Sequence, residues 1–211
     1  MLTVVKILVL LSIVWALVAL AVEVMLARGG GRRDYSQRTG SPLKGMVYSF
    51  TVAMLPAHKE TVSRHPAKFA IGVVMHIGVI LALLCVVLLV IWPQLGREAM
   101  SLFRPVVAIA LVAGLYLLVR RIVSRDLKAL SAPDDYLAIA ATCGLLAFAC
   151  FASTDAAGQT ALLIYAMLLF VYLPLGKLRH AVFFFIARGD YGRRLGYRGI
   201  YPPARRERGV A

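Results

Sequence analysis

Two histidines, His76 and His180, sit inside long apolar runs of this chain. An ionisable ring held in hydrocarbon needs a partner, and such a residue marks a functional site by default. Two imidazoles on facing helices are what a haem iron with two axial nitrogens requires, provided that both reach the same depth. His76 lies about nine residues into its apolar run, roughly 14 Å from the start at the helical rise; His180 lies about seven residues before the pattern breaks at Gly189, roughly 11 Å from the end. On antiparallel segments both rings reach a similar level. Lys68, Lys177 and Arg179 ring that level, and suit either porphyrin carboxylates or, by snorkelling, lipid phosphates. The plainer alternative is that each histidine is a packing residue hydrogen-bonded to a neighbouring helix. His58 and His65, in the polar stretch before the first of these runs, read as solvated or capping residues, with His65 as a reserve ligand.

The elements that must carry these rings follow from composition. The 211 residues are 61% hydrophobic with mean hydropathy +0.80, too apolar for a soluble domain of this length. Five stretches stand out, Leu2–Leu26, Phe69–Trp92, Pro105–Val119, Tyr136–Phe151 and Thr160–Phe185. A crossing takes about 20 helical residues, so the first, second and fifth suffice alone and the others need their flanks. The chain is therefore expected to be an all-α, integral membrane five-helix bundle. The opening run is too long for a cleavable signal peptide and is read as the first crossing.

Charge sets the orientation. Of 24 Lys and Arg, eight fall between Arg28 and Lys68, four between Arg120 and Lys128, and nine from Lys177 onward. Only Lys6, Arg97 and Arg104 lie on the other side, so the N-terminus is expected outside and the C-terminus in the cytoplasm. Membrane lipid is then an expected partner. The net charge of +14 follows from that topology, and without a reading module it does not imply nucleic acid.

Gly29, Gly30, Gly31 and Pro42 end the first helix and open a polar connection over 28–68, inside which Met46–Leu55 reads as a short interfacial helix stopped by Pro56. Pro66 opens the second crossing; Trp92 and Pro93 close it. Asp134 and Asp135 suit the N-terminal turn of the fourth. Ser153–Gln159 reads as an outer loop, and Pro174 as a kink in the fifth crossing with His180 still helical beyond it. The expected division is a five-span domain over 1–187 and a basic cytoplasmic tail over 188–211, whose Arg, Tyr191, Tyr197 and Tyr201 suit a docking surface. Cys85, Cys143 and Cys150 all fall in spans and form no Cys-x-x-Cys, which excludes an iron–sulfur cluster. No nucleotide loop or nucleophile–base pair is present.

Met75-His76-Ile77-Gly78-Val79, Pro174-Leu175-Gly176-Lys177-Leu178-Arg179-His180, and Lys59-Glu60 with His65-Pro66 upstream resemble the respiratory nitrate reductase gamma subunit family. Within it the likeness is to the membrane cytochromes of heterodisulfide-reductase-like and dissimilatory sulfite-reductase-associated complexes. The resemblance, from Leu55 onward, implies that His76 and His180 ligate the haem nearer the cytoplasm. Larger members carry outer-haem histidines where this chain has Val86 and Leu162, so one haem b is expected and the outer quinol site is in doubt. It also implies electron exchange between quinone, such as menaquinone, and a cytoplasmic iron–sulfur oxidoreductase subunit, in the cytoplasmic membrane of a bacterial or archaeal cell. Glu23, near the inner end of the first helix, is a weak candidate for proton acceptance and reads more readily as a snorkelling end-of-helix carboxylate. The rival reading is a haem-free membrane anchor or assembly subunit; a transporter is disfavoured, since no inverted repeat shows.

Overall fold

The computed structural model describes residues 2–29, 41–58, 62, 64–152 and 155–195. Among these the chain is helical without strands: α1 (Leu2–Gly29), α2 (Pro42–Phe50), α3 (Pro66–Ile91), α4 (Pro93–Val123), α5 (Arg125–Ala129), α6 (Pro133–Phe151), α7 (Ala156–Tyr172) and α8 (His180–Leu195), with short 3-10 turns between some of them. By length and composition α1, α3, α4 and α6 can each cross a membrane, and α7 with the chain beyond its break can supply a fifth span. The chain forms two compact units, one of Met1–Met25 and Ala67–Arg179, the other of Leu26–Pro66 and the segment from His180 onward. The expected boundary at 187 falls inside α8.

In the first unit α1 buries Val5, Val9, Ser12, Ala16 and Leu20, at steps of three and four that trace one face of a helix. Most of its remaining surface is apolar and exposed. Lipid tails are as apolar as leucine, so such helices associate by close packing rather than by escape from water. Small residues provide it: a Cβ at Gly78 of α3 would overlap the Ala110 Cβ of α4, and one at Gly114 would come 2.8 Å from the Cys143 Sγ of α6. The buried hydroxyls of Ser12, Thr142 and Thr160 donate to carbonyls of their own helices, which satisfies them without a partner helix. Tyr165 stacks on Phe148 at 4.7 Å and donates to the Ala141 carbonyl, joining α7 to α6.

The third long helix begins at Pro93, not at Pro105 as expected. Pro93 takes the first helical position, where a missing N–H costs nothing. The Gly96 backbone then lies so close to Leu88 and Leu89 that a Cβ would come 2.5 Å from the Leu89 nitrogen. A tight hairpin with Trp92 at its turn results, and Arg97, Arg104 and Pro105 become helical. An internal proline is tolerated in a membrane helix. The expected outer loop over Ser153–Gln159 shortens likewise, because Asp155 caps α7 by accepting from Gly158 N at 3.3 Å.

The expected kink at Pro174 is a complete break. The helix closes with Leu173 N donating to Leu169 O, Leu175 and Gly176 fold back on Tyr172 O, and a 3-10 turn, Lys177–Arg179, precedes α8. Proline offers no N–H at 174, and the Lys177 N–H that a continuous helix would need goes instead to Asp134 Oδ2 at 2.8 Å.

In the second unit α2 packs against α8. The helix expected over Met46–Leu55 starts earlier, at Pro42, because Ser41 caps it and Pro42 takes the first position; it ends at Phe50, where the Thr51 hydroxyl turns back to Val47 O at 2.6 Å. The segment expected as the start of a tail is helical to Leu195. Gly192 of α8 lies against the backbone of Gly45 and Met46, 2.7 Å from Gly45 O to an imagined Cβ, so the helices cross with almost no side chain between. Buried Ser49 donates to Arg188 O at 3.0 Å. The Arg188 guanidinium, itself buried, reaches Met54 Sδ at 2.7 Å and Ala53 O at 3.4 Å and lies over the Phe184 ring.

Candidate functional site

His76 is carried on the exposed side of α3, beside Met75 and Gly78, which face the packed interior. Its Nδ1 lies 2.7 Å from the Gly72 carbonyl one turn earlier. A carbonyl only accepts, so Nδ1 donates to it and Nε2 is the ring nitrogen left for another partner. A backbone carbonyl holding the second nitrogen is the usual way in which a ligating imidazole is oriented. Gly72 adds a second feature: a Cβ there would meet nothing within 4 Å. Lys68, Gly72 and His76 follow at intervals of four, so a cation, a bare stretch of backbone and an imidazole line up along one side of α3. Lys68 is exposed.

His180 is the first residue of α8 and is exposed. It belongs to the second compact unit and His76 to the first. Among the described residues no three His, Cys, Asp or Glu side chains gather to hold a metal ion, a condition that an iron bound by porphyrin and two imidazoles does not need. The residues fit such a group on one count in particular, the oriented Nε2 of His76 beside the open surface at Gly72.

Lys177 and Arg179, expected near porphyrin carboxylates, are both engaged within the first unit. Lys177 Nζ pairs with Asp135 at 2.6 Å and Arg179 with Glu23 at 3.6 Å; each cation keeps about half of its side-chain surface exposed, at 48% and 53%. Asp135 also pairs with Arg121 at 3.3 Å, and Arg121 donates to Ser131. The neighbouring Asp134 accepts from the Tyr172 hydroxyl and from Lys177 N. Arg121, Asp134, Asp135, Tyr172 and Lys177 therefore join the ends of α4 and α7 to the start of α6 in one polar cluster, and the Arg179–Glu23 pair ties the adjoining 3-10 turn to the end of α1. Glu23 is no exposed end-of-helix carboxylate: one oxygen faces Arg179, and Oε2 is buried without a hydrogen-bond partner.

Reasoning on the sequence missed the double role of Asp134 and Asp135, which hold the Tyr172–Lys177 break as well as opening α6. The available signal was two adjacent acids in a chain with only ten. It also missed the burial of Arg188, signalled only by an arginine two residues after a run of Phe183-Phe184-Phe185-Ile186. Val86 and Leu162 are both fully buried in the apolar core. Cys85 and Cys143 are buried and Cys150 partly so, all as free thiols. A cavity of about 330 Å³ between α6 and α7 is lined by Ala147, Phe148, Phe151, Ala152, Gly158 and Ala161 and contains no titratable group. His58 and His65 are exposed; Lys59, Glu60, Tyr197 and Tyr201 lie outside the described residues. No protein-family model matches the chain, and no curated protein or solved structure is similar to it.

Proposed function

We propose that this protein is the membrane cytochrome b subunit of a respiratory complex, holding one haem b between His76 and His180. It would pass electrons between quinone and a cytoplasmic iron–sulfur subunit, with its N-terminus outside and C-terminus in the cytoplasm. The observation that carries the reading is the His76 ring, with Nδ1 fixed on Gly72 O and Nε2 presented beside a helix surface that no side chain covers. In an apolar segment an unmet nitrogen is costly, and a metal bond meets it. Bound haem would supply reversible one-electron transfer, while the chain supplies position, axial nitrogens and low dielectric. Lys68 is the cation best placed along α3 for a carboxylate, since Lys177 and Arg179 already have acidic partners. Glu23 Oε2, buried and unpartnered, is the group suited to take a hydroxyl proton near the cluster.

Those same ion pairs favour the second reading, a haem-free anchor in which the cations are structural. Haem content separates the two. Purified full-length protein should yield one haem b per chain by alkaline pyridine assay; a value near zero after expression with haem supplied would leave only the anchor.

A further inference from the structure

The stretch expected as the inner half of the fifth crossing has the character of a surface element. α8 carries Arg188, Asp190, Arg193 and Arg194 within a single helix, and it packs on α2, whose second half falls in the segment 46–55 that reads as an interfacial helix in sequence. Leu43, Val47 and Phe50 follow at i, i+4 and i+7 on α2, and the first two are 67% and 55% exposed. Phe50 stacks on Phe185 of α8 at 6.2 Å and 21°, and Phe185 is 61% exposed, so the stripe continues from one helix to the other. Lys44 and Arg193 are exposed next to it. The pair is firmly built, with Gly192 seated on Gly45 and the Arg188 guanidinium buried against Ala53 O and Met54 Sδ. An apolar stripe edged by cations is the pattern of helices lying in a headgroup layer. Both helices follow membrane-spanning segments, α2 after α1 and α8 after α7, so the chain itself keeps the pair at the bilayer.

We infer that α2 and α8 form one amphipathic platform that lies on the anionic leaflet, with Leu43, Val47, Phe50 and Phe185 among the acyl chains and Lys44 and Arg193 at the phosphates. α7 alone then makes the fifth crossing, its 17 residues being the short end of what spans a bilayer, and His180, as the first residue of α8, lies at the inner end of that crossing rather than about seven residues inside it. The basic residues at this level are read as lipid-facing, and cations near such a surface draw strongly on anionic headgroups. The platform does not depend on haem being bound.

Val47→Cys and Leu43→Cys, each in a Cys150→Ala background, test it in the full-length protein. The protein is placed in nanodiscs of phosphatidylglycerol with phosphatidylcholine, or of phosphatidylcholine alone, and reacted with a bulky water-soluble maleimide. A cysteine appended after Ala211 gives the rate of a solvated thiol. The expected result is labelling at least tenfold slower than this control in the anionic discs, and several-fold faster in the neutral discs than in the anionic ones. Lys44→Glu with Arg193→Glu should remove that difference. Labelling at the control rate in anionic discs would overturn the proposal. So would protection that arises only on adding a cytoplasmic extract, which would make the stripe a protein-docking surface. Equal protection in both kinds of disc would also overturn it, since the anionic headgroup would then play no part. Leu43, outside the Phe50–Phe185 stack, keeps the test valid if the Val47 variant fails to fold.

Discussion

At the scale of single residues the account turns on what surrounds His76. Its position in an apolar run was plain in the sequence, and so was the need for a partner. That Gly72 would orient the ring follows from spacing, since a carbonyl one turn earlier lies under a side chain that leans toward the helix N-terminus. Gly72 distinguishes the two functional readings. A Cβ there meets no atom, and replacing a mid-helix glycine removes a backbone cost of about 0.5–1 kcal/mol. Gly72→Leu should therefore fold at least as stably as the parent, read by thermal unfolding in detergent, while haem per chain falls severalfold because the leucine covers the surface beside the ring. An unchanged haem content would count against that surface being the site. The pairing of Arg179 with Glu23 was not legible, because 156 residues separate partners that only the packed bundle brings together.

At the scale of elements, the long apolar helices were legible from hydropathy alone, and their ends were not. Pro93 and Pro105 both lie near the start of the third span, and either could open a helix; the choice fell to Gly96, whose role depends on the approach of α3. The break after Tyr172 is similar. Proline predicts a disturbance, but Asp134, 43 residues away, decides that the Lys177 amide leaves the helix. Asp134→Ala should speed exchange of the Lys177 amide roughly tenfold, since a charge-assisted bond worth about 1.4 kcal/mol is lost. Hydrogen exchange of the full-length protein measures this, and a protected amide in the variant would mean that the break is held elsewhere. The α2–α8 pair was half legible: 46–55 read as a short interfacial helix, whereas the apolar start of α8 read as the end of the fifth crossing, and only contact between distant segments joins them into one unit.

For the whole molecule, the sequence's uneven charge has a counterpart in the first unit, where Arg121, Lys177 and Arg179 gather at one end with Glu23, Asp134 and Asp135. The proposed topology puts that end in the cytoplasm. Reporter fusions should show Met1 outside and the end after Ala211 inside; a reporter active inside at both ends would remove a crossing and contradict the proposed topology. The most direct measurement of the central claim is the dithionite-reduced minus oxidised absorbance spectrum of the purified full-length protein, taken beside His76→Ala and His180→Ala. The account predicts a b-type spectrum in the parent and its loss in each variant, with both variants still folded by circular dichroism. A parent without pigment, or two variants with the parent's spectrum, would contradict it.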